Sequence, residues 1–216
     1  MSGKKNQEIT EAVLERLPLY YRTIKQFEDR GFKNISSQQL AGFLDMKPEQ
    51  IRKDLSICGK FGVRSVGYDV TNLKNNLAKV LGLDHHLNLG IVGAGYLGIS
   101  LAKSKEITEL GFNIVALFDN DSRIIGSEVG SVKVYDFAKF KSISQRKMID
   151  IGVIAVPKKS APKVADTLIA AGVKGIWNFA PVKLLLPNNF PVVNVDFSFD
   201  LSILNYYITR AGKNSA

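Results

Sequence analysis

The stretch Leu87-Asn88-Leu89-Gly90-Ile91-Val92-Gly93-Ala94-Gly95-Tyr96-Leu97-Gly98 decides the fold of the larger part of the chain. Its first six residues predict a buried strand, and the glycines that follow predict a sharp turn into a helix. In such a turn Gly93 lets the chain leave the strand, Gly95 lets a phosphate group approach the backbone, and Gly98 lets the helix pack closely. The stretch therefore predicts a strand-turn-helix unit of the kind that binds dinucleotides.

A carboxylate supports this interpretation. Asp119 ends the next predicted strand, 21 residues after Gly98, where it would accept both ribose hydroxyls of NAD and repel the 2′-phosphate of NADP. The pyrophosphate would sit on unpaired N–H groups at the start of the helix. A purely structural glycine turn in an α/β domain without a ligand remains the alternative. The candidate cofactor-binding residues are Gly93, Ala94, Gly95, Tyr96, Leu97, Gly98, Asp119 and Pro157.

The rest of the C-terminal part alternates between strand and helix patterns. Apolar runs at 113–119, 149–156, 175–178 and 192–195 predict strands, and 161–171 predicts a helix. Alternation of this kind favours a parallel sheet covered by helices. We therefore expect an α/β fold with a Rossmann-like domain at 83–196, followed in 197–216 by a final helix with an apolar stripe.

Residues 1–82 carry helical patterns instead. Apolar residues recur at steps of three and four from Ile9 to Phe27, and the pattern ends at Gly31, a common helix stop. Pro18 lies inside this pattern and predicts either a kink or a fresh helix start.

Two further helices and a hairpin follow. Ser36 and Gln39 have the spacing of a capping box, and Pro48 is well placed in the first turn of a third helix. The stretch 59–70 combines three glycines with β-branched and aromatic residues, which predicts a small hairpin. Three helices followed by a basic hairpin is the order of a winged helix-turn-helix domain.

The third helix and the hairpin also concentrate positive charge. Residues 47–64 carry five basic and two acidic side chains, the kind of donors that a recognition helix and a wing use to reach bases and phosphates. A solvated charged face without a ligand is the alternative. The candidate DNA-binding residues are Ser37, Gln50, Arg52, Lys53, Ser56, Lys60 and Arg64.

Composition excludes several classes of protein. The chain has 216 residues, is 45% hydrophobic and has a net charge of +9, which suits a folded protein with an anionic partner, although solubility would also explain the charge. The single Cys58 excludes a disulfide framework and a thiolate zinc site, and His85 and His86 alone cannot form a histidine triad. No apolar run approaches the roughly 18–20 residues of a membrane span. The start of the chain lacks a signal-peptide pattern, so we expect a cytoplasmic protein.

An enzyme would need a proton donor and a substrate site beyond its dinucleotide domain. Only about 20–25 residues follow that domain, a length typical of one helix. We therefore predict no catalytic residues and no metal site. A small NAD-dependent oxidoreductase with a basic dimerisation domain is the alternative function.

Five short motifs are spread over nearly the whole chain. They are Arg16-Leu17-Pro18-Leu19-Tyr20-Tyr21-Arg22, Arg52-Lys53-Asp54-Leu55-Ser56, Gly67-Tyr68-Asp69-Val70, Asn178-Phe179-Ala180-Pro181-Val182 and Asn194-Val195-Asp196. Together with the glycine turn, they resemble the Rex family of redox-sensing transcriptional repressors. The resemblance implies a homodimer that binds a palindromic double-stranded operator and releases it when NADH occupies the Rossmann domains, with NAD(H) as a regulatory ligand. It also implies a swapped C-terminal helix that wedges between the two domains of the partner.

The resemblance further implies an interdomain switch in which Arg22 pairs with Asp196 across the dimer. Ser104 stands where the family has a tyrosine near the nicotinamide that contacts the aspartate, here Asp196. A serine hydroxyl is too short to form that bridge, so we expect the ratio of NAD⁺ to NADH affinity to be closer to one than in tyrosine-bearing relatives. The other departures are Tyr96 in place of asparagine, Ser65 in place of a wing glycine, and Ile57-Cys58 in place of an aromatic pair.

Overall fold

The computed structural model describes residues 9–59, 62–63 and 67–211. The chain divides into two compact units, Met1–His85 and His86–Ala216, each with its own apolar core. No helix among the described residues is long and apolar enough to cross a membrane.

The described residues of the first unit form five helices and a three-stranded antiparallel sheet of order β1-β3-β2. The hairpin predicted at 59–70 is confirmed, with β2 and β3 as its arms. The sequence patterns did not reveal β1, which adds to the hairpin, or α5, which follows it. The elements are α1 Glu11–Leu14, α2 Leu17–Asp29, β1 Asn34–Ile35, α3 Ser37–Leu44, α4 Pro48–Cys58, β2 Gly62–Val63, β3 Gly67–Asp69 and α5 Val70–Val80.

Local sequence signals explain where these helices begin. Pro18 lies in the first turn of α2, so it starts a new helix after α1 rather than bending one long helix. At the start of α3 the Gln39 N–H donates to Ser36 Oγ at 3.1 Å, and the Ser36 N–H donates to Gln39 Oε1 at 2.8 Å. The predicted capping box is therefore present. Asp69 caps α5 in a similar way, by accepting the N–H of Asn72.

The second unit is a seven-stranded sheet of order β10-β9-β8-β4-β5-β7-β6. All neighbouring pairs are parallel except β6 and β7, which confirms the predicted Rossmann-like sheet. The strands are β4 Leu87–Val92, β5 Phe112–Asp119, β6 Glu128–Val129, β7 Val132–Asp136, β8 Ile151–Ile154, β9 Gly175–Asn178 and β10 Val192–Asn194. The helices are α6 Tyr96–Ala102, α7 Lys105–Glu109, α8 Phe140–Lys147, α9 Ala161–Ala170 and α10 Phe197–Ala211, with a 3-10 turn at Phe137–Lys139.

Each face of this sheet is covered by a different pair of helices. The α8 and α9 face buries Phe118, Phe140 and Leu168, and the opposite face includes Leu89 and Val153. The elements β6, β7 and α8 were not predicted, because they are short and lack a continuous apolar run.

The final helix, α10, is exposed throughout its described side chains. Its apolar side chains carry exposed fractions from 44% for Ile203 to 68% for Phe199. The predicted final helix is thus confirmed at Phe197–Ala211, and its apolar side chains remain largely exposed among the described residues.

Candidate functional site

The glycine turn lies at the carboxyl end of β4. Gly93 has φ +104, and a methyl group added there would overlap the carbonyl of Ala155 at the end of the neighbouring strand. A methyl group on Gly98 would overlap the carbonyl oxygen of Gly93. Both positions therefore require glycine for the turn to close. Gly95 is different, because it has an ordinary φ of −80 and nothing lies within 4 Å of an added methyl group.

Asp119 lies directly against this turn. The N–H of Ala94 donates to Asp119 Oδ2 at 2.7 Å, and the N–H groups of Asn120 and Asp121 donate to Oδ1 at 2.7 and 3.0 Å. The carboxylate at the end of β5 is thus fixed beside the turn after β4. This is the arrangement in which a carboxylate can accept ribose hydroxyls while the turn receives a pyrophosphate.

A cleft of about 290 Å³ opens beside these two features, at the carboxyl ends of the strands. Ligands of open α/β sheets bind at this edge. Four predicted residues line it, whereas Ala94 and Gly98 hold the turn and Tyr96 is 97% exposed. The predictions missed several lining residues on the segments that follow neighbouring strands. The cleft is lined by Val92, Gly93, Gly95, Asp119, Asn120, Phe137, Ala155, Val156, Pro157, Ser160 and Val164.

The candidate DNA-binding residues lie mainly on α4. Arg52 Nη1 donates to Ser37 Oγ at 3.0 Å, and its Nη2 donates to Glu49 Oε1 at 2.6 Å. Lys53 and Ser56 are exposed on the same helix, although the Ser56 hydroxyl donates to the carbonyl of Lys53 at 2.7 Å. The predicted Lys60 and Arg64 lie outside the described residues.

Gln50 faces a buried carboxylate that the sequence patterns did not reveal. Its amide Nε2 donates to Asp54 Oδ1 at 2.7 Å. Arg16 donates to both oxygens of Asp54, at 2.6 and 2.9 Å, and the Tyr20 hydroxyl donates to Oδ2 at 2.7 Å. We call Arg16, Tyr20, Gln50 and Asp54 the Asp54 cluster. It ties α4 to α2.

The Asp54 cluster shifts the ionisation of its members. Burial alone would raise the pKa of Asp54, but the hydrogen bonds from Arg16, Tyr20 and Gln50 outweigh it and hold that pKa below its ordinary value. Burial, reinforced by the nearby carboxylate, raises the pKa of the Tyr20 hydroxyl. Asp54 is therefore a buried anion, and Tyr20 and Gln50 are its neutral donors.

The three predicted switch residues are found in different settings. Arg22 is exposed on α2 in the first unit. Ser104 caps α7, where its hydroxyl accepts the N–H of Ile107 at 3.4 Å and donates to Glu106 Oε2 at 2.8 Å. Asp196 is exposed just before α10 and accepts the N–H of Ser198 at 2.9 Å.

A buried amide organises the motif around Asn178. Its Nδ2 donates to the carbonyls of Ala180 and Val182, each at 3.1 Å, and to Asn194 Oδ1 at 2.9 Å. Its Oδ1 accepts the N–H of Ala180 at 3.0 Å. The residues of the two later motifs are therefore held together by one side chain.

Two known protein families match the two units of the chain separately. Residues 8–56 match the family described as "Putative DNA-binding protein N-terminus", and residues 84–182 match the "CoA binding domain" family. Two redox-sensing transcriptional repressors named Rex match nearly the whole chain. That of Desulforamulus reducens is 40% identical over 95% of this chain and 98% of its own length. That of Syntrophomonas wolfei is 41% identical over 93% and 96%.

Solved structures show the same similarity. RSP in complex with beta-NAD+ and operator DNA has a TM-score of 0.90 and 36% identity, over 97% of this chain and 96% of its own. RSP in complex with beta-NADH has a TM-score of 0.87 and 36% identity, over 96% and 97%. Identity of this degree over the full length shows common ancestry as well as a common fold. The chain belongs to the Rex family of redox-sensing transcriptional repressors.

Proposed function

We propose that this chain represses transcription by binding operator DNA, and that it releases the DNA when NADH binds in the cleft beside Asp119. The observation that carries the proposal is the full-length similarity to a protein solved with both operator DNA and a nicotinamide dinucleotide. Members of this family regulate transcription rather than catalyse a reaction, so the oxidoreductase alternative has no support.

For DNA binding, α4 would enter the major groove as the recognition helix. Arg52 and Lys53 are exposed on it and would donate to base edges and phosphates. Gln50 is also exposed on α4 and donates one amide N–H to the buried Asp54, so its second N–H and its carbonyl oxygen would contact DNA. Lys60 and Arg64 would contact the backbone or the minor groove from the wing.

For dinucleotide binding, the chain offers three fixed elements. The open backbone at Gly95 would receive the pyrophosphate, and the Asp119 carboxylate would accept ribose hydroxyls. Pro157 lines the cleft on the side of β8. A carboxylate at the position of Asp119 favours NAD(H) over its 2′-phosphorylated form. In this proposal NAD(H) is a regulatory ligand, and its redox state is the signal.

We further propose that the protein is a cytoplasmic homodimer that recognises a palindromic operator. The apolar side chains exposed along α10 support dimerisation, because a contiguous apolar surface of this kind needs a cover in water. In a dimer α10 would be swapped onto the partner. Arg22 would pair with Asp196 of the other protomer and hold the arrangement that binds DNA, with Ser104 near the nicotinamide.

The test is a binding titration of the full-length protein against palindromic and scrambled duplexes at moderate salt, where nonspecific contacts weaken. Each titration is repeated with saturating NADH and with NAD⁺. We expect preferential binding of a palindrome and weaker binding with NADH. Absence of any sequence preference, or identical binding with and without NADH, would refute the proposal.

A further inference from the structure

Arg52 is already held by two oxygen atoms of the protein. Ser37 Oγ, on α3, accepts from Nη1, and Glu49 Oε1, on the first turn of α4, accepts from Nη2. A guanidinium has five N–H donors in one plane, so three remain for an outside ligand. The two contacts fix the direction in which those three point.

Glu49 also places a negative charge in the first turn of α4, the helix that would enter the major groove. Its side chain is 73% exposed, and that of Arg52 is 51% exposed. Its own backbone N–H and then Arg52 hold the pKa of Glu49 below its ordinary value, so it is an anion at neutral pH. Any approach of this end of α4 to a duplex brings the carboxylate towards phosphates, at a cost that does not depend on base sequence.

We propose that Glu49 is a specificity-determining residue that acts through Arg52, an inference that rests on the proposed DNA binding. At a matching site, Arg52 stays on Glu49 and Ser37 and presents its free N–H groups to a base edge in one orientation. At other sites, where no base edge matches that orientation, Arg52 turns towards a phosphate at the expense of its contact with Glu49. Glu49 therefore weakens nonspecific binding more than specific binding.

The test compares full-length Glu49→Gln, Ser37→Ala and Glu11→Gln with wild type. Glu11 is an exposed carboxylate in the first turn of another helix, α1, so its variant controls for loss of one negative charge. The specific probe is a palindromic duplex recovered by wild type from a random-sequence pool, and the nonspecific probe is poly(dI-dC). Fluorescence anisotropy at several salt concentrations gives both affinities and their salt dependence.

We expect Glu49→Gln to bind poly(dI-dC) more tightly, with a log–log salt slope steeper by about one per bound protomer. We expect the ratio of specific to nonspecific affinity to fall on the order of tenfold, the lower range for one misplaced arginine contact. Ser37→Ala lowers the same ratio without steepening the slope, and Glu11→Gln changes neither.

Two outcomes would overturn the inference while leaving the proposed function intact. One is a Glu49→Gln variant that behaves like Glu11→Gln, and the other is an equal gain on both probes, which a change of bulk charge alone would produce. If wild type recovers no duplex from the pool, the proposed function itself fails and this inference fails with it.

Discussion

Replacing Arg16 by methionine should strongly destabilise the first unit. The substitution keeps an unbranched side chain but removes both charged hydrogen bonds to Asp54, which is 1% exposed, whereas Arg16 is 28% exposed. Removal of one partner of a buried pair costs about 3–5 kcal/mol. Asp54 keeps the donors of Tyr20 and Gln50, so we expect the lower end, about 3 kcal/mol.

Urea unfolding of the full-length chain measures this effect. Circular dichroism at 222 nm follows the helices, and the fluorescence of the single tryptophan, Trp177, follows the second unit alone. With a slope of about 1 kcal/mol per molar urea for so small a unit, the midpoint of the first unit's part of the dichroism change should fall by about 3 M. The Trp177 transition should not move. Arg30→Met, at an exposed position just after α2, is the matched control.

The double variant Arg16→Met with Asp54→Leu also removes the buried Asp54 carboxylate that Arg16→Met leaves without its cation. It should be more stable than Arg16→Met alone, since an apolar replacement of a buried pair costs little. The sign of the pH dependence follows from the lowered pKa of Asp54. Its stabilisation is present above the unfolded-state pKa and is lost as pH falls through the folded-state pKa, so the difference between wild type and Arg16→Met should shrink below about pH 4. An Arg16→Met variant within 1 kcal/mol of wild type at pH 7 would refute this reasoning.

Three further predictions concern ligands. Arg52→Ala and Lys53→Ala should each weaken operator binding by about 1–3 kcal/mol and leave calorimetric NADH affinity unchanged, and loss of NADH binding in both would contradict the division of roles. Gly95→Ala should lower NADH affinity and leave the melting temperature unchanged, because its methyl group enters open space beside the turn. Gly98→Ala should lower both the NADH affinity and the melting temperature, because its methyl group meets the Gly93 carbonyl. If Gly95→Ala binds NADH normally, the pyrophosphate does not approach there. Ser104→Tyr should increase the preference for NADH over NAD⁺ in competition calorimetry, and an unchanged ratio would show that this position does not read the redox state.

The predicted parts of the molecule were those encoded within short segments. The glycine turn needs only Gly93 and Gly98 at fixed spacing, and the capping box needs only Ser36 and Gln39. The Asp54 cluster could not be predicted in this way, because its partner Arg16 lies 38 residues away and the burial of an acid depends on how α2 meets α4. Likewise, β7 was missed because a short alternating strand is apparent only once its neighbour β5 is in place.

The contact between Asp119 and the N–H of Ala94 has a consequence for the time response of a sensor. The turn is ordered by this hydrogen bond and by the close fit of Gly98, so little chain entropy is lost when a ligand arrives. A carboxylate that exchanges an amide N–H for a ribose hydroxyl replaces one hydrogen bond by another. We therefore expect the turn to take up and release a dinucleotide without refolding, so that any slow step in the response lies elsewhere than at this turn.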